Sequence, residues 1–198
     1  MPKIVDHARR REQIAELTLR VIREEGSSAA TVRRIATVGG FSIGVLGHYF
    51  KDKDELIAFA FQRMATRTFE NLDVVVAGRS PGLARLRAAM EFMVPAPDAP
   101  NFMGVWVSLW DGALKNQALA RVHRAYYARW RRQLRRHLSE AIRRGEVARP
   151  HSLGDAVDLL SAGIDGLWIG ATFEPARLPP RRRRALVAQM LAAIVGAH

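Results

Sequence analysis

TVRRIATVGGFSIGVLGHYFKDKDELI, residues 31–57, reads as two short helices parted by a glycine turn and followed by the start of a third. Thr31 stands where an N-cap is wanted, because its hydroxyl can accept from a first-turn N–H that has no helical partner. Gly39 and Gly40 then break the segment, and Ser42 caps IGVLGHY. Ile35, Ala36, Leu46 and Phe50 are apolar at spacings that lock the two helices together. That packing turns Ile43, Gly44, Val45, Gly47, His48 and Tyr49 outward. Asp52 can cap the next helix, which opens at Lys53 and runs into the seventies.

The pattern outside this stretch is helical throughout. Upstream, Ile14, Leu17, Val21 and Ile22 form one apolar stripe that Gly26 ends. Downstream, Ser80 and Pro81 are placed as N-cap and first residue of a helix that stops by Pro95-Ala96-Pro97. A sixth helix is expected over 100–115. Leu119, Val122, Tyr126, Trp130, Leu134, Leu138 and Ile142 recur at spacings of three and four until Gly145, which predicts a long seventh helix with a buried stripe. Ser152 with Asp155 resembles a capping box for an eighth, to about Phe173. Pro179-Pro180 opens a ninth with a Leu186, Met190, Ile194 stripe. Alternating strand patterns are absent, so the expectation is an all-α chain of about nine helices.

Composition narrows the function classes. The 198 residues are 48% hydrophobic, enough for a real core, and contain no cysteine, which excludes disulfides, thiolate metal sites and cysteine nucleophiles. The six histidines make no metal-spaced pair, and no acid, base and nucleophile cluster, so an enzyme, a metal and a cofactor are not expected. The N-terminus lacks the apolar stretch of a signal peptide, and LLSAGIDGLWIGATF is short and interrupted by Asp165, so a cytoplasmic protein without a membrane partner is expected. The net charge of +12 is unevenly placed: residues 1–54 hold ten Lys/Arg against seven Asp/Glu, whereas residues 121–149 hold ten Arg against two Glu. The second run reads as the solvated face of one long helix in preference to a second nucleic-acid surface.

Two short helices joined by a glycine turn and followed by an aromatic-basic segment are the helix-turn-helix pattern, whose second helix lies in the major groove of DNA. Residues 31–57 resemble the TetR family of bacterial repressors: the cap, Ile35-Ala36, the turn glycine, Ser42, Leu46, Tyr49-Phe50, Lys53 and Leu56 follow its signature in order. The resemblance implies a DNA-binding head over 1–52 and a ligand-binding and dimerisation domain over 53–198. It also implies that Arg33, Arg34, Ser42, Ile43, Gly44, Val45, Gly47, His48, Tyr49 and Lys53 approach double-stranded operator DNA. Tyr49 and Lys53 suit phosphates, His48 a phosphate or a base edge, and Arg33 bidentate guanine recognition, although Arg33 and Arg34 also read as ordinary helix-surface charges. The family commonly carries larger residues where this chain has Gly44 and Gly47, so direct readout from the second helix is thin.

The segments WVSLW and AGIDGLWIG narrow the resemblance to the betaine-pathway repressor (BetI) subgroup, which responds to choline. Trp106 and Trp110 share one helical face, as do Asp165 and Trp168. Aromatic faces with Asp165 or Asp111 as counter-charge suit an organic cation, choline-like or an amine, and equally these tryptophans read as core packing. Gly163, Gly166 and Gly170 permit close helix approach, and the resemblance places them with Leu186, Met190 and Ile194 in a homodimer interface. A two-fold dimer implies a palindromic operator, released when a small molecule favours another spacing of the heads. The rival is a ligand-independent DNA-binding regulator whose pocket is filled by its own side chains.

Overall fold

The computed structural model describes residues 2–94 and 100–195, with side chains over 7–94 and 104–194. Its elements are α1 (Pro2–Glu25), a 3-10 turn (Ser27–Ala29), α2 (Val32–Gly39), α3 (Ile43–Tyr49), α4 (Lys53–Ala77), α5 (Leu83–Met93), α6 (Pro100–Lys115), α7 (Gln117–Arg143), α8 (Leu153–Phe173) and α9 (Pro180–Val195). No strand occurs among the described residues.

Local chemistry explains most boundaries. The Thr31 hydroxyl accepts from Arg34 N at 3.1 Å, Ser42 from Val45 N at 3.3 Å, Asp52 from Glu55 N at 2.8 Å and Ser152 from Asp155 N at 3.2 Å. Gly40, at φ +67°, closes α2: its N–H reaches Thr37 O and the N–H of Phe41 reaches Ala36 O at 2.9 Å, the paired closure that a left-handed residue permits. Gly39 is needed for another reason, since a Cβ there would lie 2.5 Å from the Phe41 ring, on which the turn folds back.

Two expectations are corrected. α5 begins at Leu83, not after a Ser80 cap, and its first free N–H is taken by a distant carboxylate: Leu83 N donates to Glu146 Oε2 at 2.8 Å. In α9 the buried stripe is Arg183, Val187 and Leu191, while Leu186, Met190 and Ile194 are half-buried, one position round the helix.

The chain gathers into two compact units, Met1–Thr68 with Pro100–Tyr126, and Phe69–Ala99 with Tyr127–His198. In the first, α1 packs on α2, α3 and α6. Arg63 and Arg67 pair with Glu12 and Glu16, tying α4 to α1. In the second, α9 packs on α5 and α8. By length and composition α8 is the one described helix that would span a membrane, but it carries Asp155, Asp158 and Asp165, and its Val157, Leu160, Ile164 and Leu167 are buried in the second unit.

His137 on α7 is buried with Nε2 unpartnered. Burial first, then Arg136 and Arg85, holds its pKa below the ordinary imidazole value, with Asp73 opposing. The unfolded chain protonates this group near pH 6.5, about the reference value, while the fold resists protonation, so its contribution is complete above that pH and is lost as pH falls. Thermal melts from pH 7.5 to 5 should show a fall in midpoint that His137→Leu makes shallower; parallel curves for both proteins would refute the assignment.

Candidate functional site

Ile35, Ala36, Leu46 and Phe50 are buried and hold α3 against α2. What this leaves outside is most of the face expected: Ile43 and Val45 are 52% and 38% exposed and Gly44, Gly47 and His48 are exposed beside them, while Tyr49 is half-buried. A Cβ at Gly47 would meet nothing within 4 Å, and one at Gly44 only the Ser42 hydroxyl at 3.9 Å. Packing within the chain therefore does not require either glycine. Their effect is to bare the α3 backbone toward whatever approaches from outside.

The two arginines of α2 separate. Arg33 is exposed and its side chain makes no hydrogen bond or ion pair among the described residues. Arg34 is committed to the end of α1, where its Nε donates to Glu25 Oε2 at 2.9 Å and its Nη2 to Glu25 Oε1 at 2.8 Å. That hydrogen bonding holds the Glu25 carboxyl below its ordinary pKa. The Arg34 fork is thus held by a carboxylate of its own chain, and the Arg33 side chain is not. Ser42 is occupied as a cap, with its hydroxyl proton left over. Lys53 is half-buried in the first turn of α4, and Lys51 beside it is exposed.

Three contributors escaped sequence reasoning because they are remote in sequence. The His7 ring on α1 lies 4.7 Å from the Tyr49 ring and 5.9 Å from that of His48. Arg11 donates to Tyr49 O at 2.7 Å and to Glu55 Oε1 at 3.0 Å, with its guanidinium 4.4 Å over Phe50 and 4.6 Å over Phe59. Glu55 also accepts from Lys51 N at 2.8 Å, and this backbone bond, followed by Arg11, lowers its pKa. The end of α3 is thus pinned from α1 and α4 at once. Only Glu55, three residues after the Asp52 cap, carried a visible signal.

The residues expected to hold an effector divide between the two units. Trp106 is buried in the first unit with its ring 4.4 Å from that of Tyr126. Trp110 is half-buried there, its Nε1 buried without a partner. Asp111 is exposed and paired with Lys115 at 2.6 Å, a surface i,i+4 pair. Trp168 and Asp165 belong to the second unit. Asp165 accepts from Tyr127 Oη at 2.8 Å, and burial pushes its carboxyl above the usual carboxylate range despite that bond and the nearby Arg131.

The glycines of α8 also separate. A Cβ at Gly163 would fall on Met190 Cε and one at Gly170 on Leu178 Cδ1, so each glycine receives the end of a side chain of its own chain. Gly166 is different: it is exposed, with nothing within 4 Å of an added Cβ. It lies in an exposed row with Leu159, Ala162, Ile169 and Phe173, at spacings of three and four, and Leu159 and Phe173 are 69% and 71% exposed. These residues form an exposed apolar stripe along one face of α8.

A capped helix-turn-helix whose second helix is bared outward beside an unpaired arginine, joined to a larger helical part, defines a DNA-binding regulator. Residues 14–59 match the pattern of bacterial regulatory proteins of the tetR family, and residues 82–196 that of the BetI-type transcriptional repressor C-terminal domain. The chain belongs to the TetR family and is a transcriptional repressor of BetI type. It is 30% identical over 196 residues to the HTH-type transcriptional regulator PksA of Bacillus subtilis, covering 98% of this chain and 94% of that protein. It is 32% identical over 200 residues to the regulator BetI of Cronobacter sakazakii, covering 96% and 93%. A protein from Saccharomonospora viridis solved in complex with choline shares the fold at TM-score 0.84 and 21% identity, covering 93% of this chain and 96% of that one.

Proposed function

We propose that the chain represses transcription as a homodimer on a palindromic operator, with residues 1–52 as the head and 53–198 as the effector and dimer part, and that a small molecule releases it. The observation that carries the DNA-binding reading is the outer face of α3, where Gly44 and Gly47 are bare for no reason internal to the fold, next to the unpaired Arg33. Close backbone approach with few side-chain donors shifts base readout to apolar contact with thymine methyls from Ile43 or Val45, and to Arg33. Two heads related by a two-fold axis read half-sites about one helical turn or more apart.

The test separates base from phosphate contacts. Arg33→Ala should weaken specific binding by about 1–3 kcal/mol and relax one base position, whereas Lys53→Ala should weaken all sequences alike and flatten the salt dependence. Gel shifts over salt and operator variants measure both. An Arg33→Ala protein that loses affinity uniformly across sequences removes the base-reading role.

For the effector, the choline bound by the Saccharomonospora viridis protein and the half-buried Asp165 one turn from Trp168 support an organic cation. Its binding would draw on the Asp165 carboxylate, so Asp165→Asn should weaken choline by more than its uncharged isostere. A second reading has its own observation: Trp106 is buried against Tyr126, as in a pocket filled by its own side chains. Thermal stabilisation by choline favours the first reading, and a melting curve indifferent to saturating choline favours the second.

A further inference from the structure

We propose that the groove between the end of α6 and the beginning of α7 binds an amphipathic organic anion, a carboxylate carried on an aromatic or alkyl body. The groove is an open cavity of about 260 Å³ lined by Trp110, Ala113, Leu114, Ala120, His123 and Arg124, all within the first compact unit. Its walls are an indole, two alanines and a leucine, and Leu114 is 88% exposed at the lip. A wall of that kind recognises an apolar body and gains by covering it.

The charge of the groove has one sign. No carboxylate lines it, and Asp111 one position from Trp110 is held by Lys115 on the exposed surface. Arg124 lines it, is exposed and has no hydrogen bond or ion pair among the described residues. Trp110 contributes its indole as wall; its Nε1 is itself buried and is not offered to the groove. An exposed guanidinium at the edge of an apolar groove matches a carboxylate, which can take the planar fork in two parallel bonds. A cationic ligand would instead be repelled by Arg124, most strongly at low ionic strength. The site is therefore distinct in residues and in charge preference from the Asp165 setting.

The groove is also wired to the head. Asn116, in the turn between α6 and α7, caps α7 by accepting from Ala118 N at 2.8 Å and Leu119 N at 3.2 Å, and its Nδ2 donates to Asp54 Oδ2 at 2.6 Å in the first turn of α4. Glu55, the next residue, holds Arg11 beneath the end of α3. The turn has little slack, because a Cβ at Gly112 would lie 2.5 Å from Leu119 Cδ1. A body seated between Leu114 and Ala120 strains the Asn116–Asp54 bond first, and through α4 biases the α3 position that operator binding requires. This coupling rests on the DNA-binding reading above; the binding site itself does not.

Calorimetry with the full-length protein tests the site with two charge series: indole-3-acetate, its amide and tryptamine, and octanoate, its amide and octylamine. At least one carboxylate is expected to bind about tenfold or more tightly than its amide, equivalent to about 1.4 kcal/mol, with its amine weaker still. Arg124→Gln should bring carboxylate affinity down to that of the amide, and Asp165→Asn should leave it unchanged. Asn116→Ala should keep carboxylate binding while uncoupling it from operator affinity. Failure of both carboxylates to bind, equal affinity for the amides or amines, or an Arg124→Gln protein with wild-type affinity overturns the proposal. Operator binding without any ligand is read in the same gel shifts, so a failure of the repressor reading is seen separately.

Discussion

Leu46→Ala is expected to destabilise the DNA-binding head by about 2–5 kcal/mol and to abolish operator binding at temperatures where the wild-type protein binds fully. α3 has only seven residues, too short to persist without tertiary support. Leu46 is the single buried side chain within it, and α3 rests on α2 and α1. Removing its branched end leaves a cavity between helices that have little else in common. Val45→Ala supplies the contrast, because Val45 faces outward. Its stability should stay within about 0.5 kcal/mol of wild type, while gel shifts report any loss of thymine-methyl contact. If Leu46→Ala melts like the wild type by circular dichroism, the packing account of the head is wrong.

Gly166→Leu is expected to convert a dimer into monomers and, because a dimer holds two half-sites at once, to lower operator affinity by about a hundredfold or more. The protomer itself should survive. An added Cβ meets no atom of its own chain within 4 Å, and replacing a mid-helix glycine gains about 1 kcal/mol of helix propensity. Gly163→Leu should behave oppositely, since its side chain would collide with Met190 and strain the α8–α9 contact, lowering the melting midpoint of the protomer. Light scattering with thermal melts distinguishes the two. A Gly166→Leu protein that remains dimeric would remove the row Leu159, Ala162, Gly166, Ile169 and Phe173 from the dimer proposal. Loss of folding in that variant would contradict the open space beside Gly166.

The caps and stripes show which features a linear reading captures. Thr31, Ser42, Asp52 and Ser152 each act within three residues of their own position, so residue type and spacing were enough. Period sufficed for most of the buried side of α7: Leu119, Trp130, Leu134 and Leu138 lie inside as expected, while Val122, Tyr126 and Ile142 are half-buried and Ala141 is buried in place of Ile142. It failed in α9 by one position, since four consecutive arginines at 181–184 conceal that Arg183 turns inward. The start of α5 was misread because Glu146, 63 residues away, supplies the cap.

By itself, then, the sequence determined the all-α class, the two short helices, the outward face of α3 and the family, because each rests on periodicity, local hydrogen bonding or an ordered motif. Tertiary structure alone decided which of two neighbouring arginines is free, by bringing Glu25 to Arg34 and nothing to Arg33. It likewise decided that Gly163 and Gly170 serve the chain's own packing while Gly166 lies open, that Asp111 is neutralised by Lys115, and that Arg11 clamps the end of α3 from α1 and α4. The physical reason is common to all of these. Whether a charge is available or a glycine is filled depends on which atoms lie within a few ångströms, and residues distant along the chain set that distance.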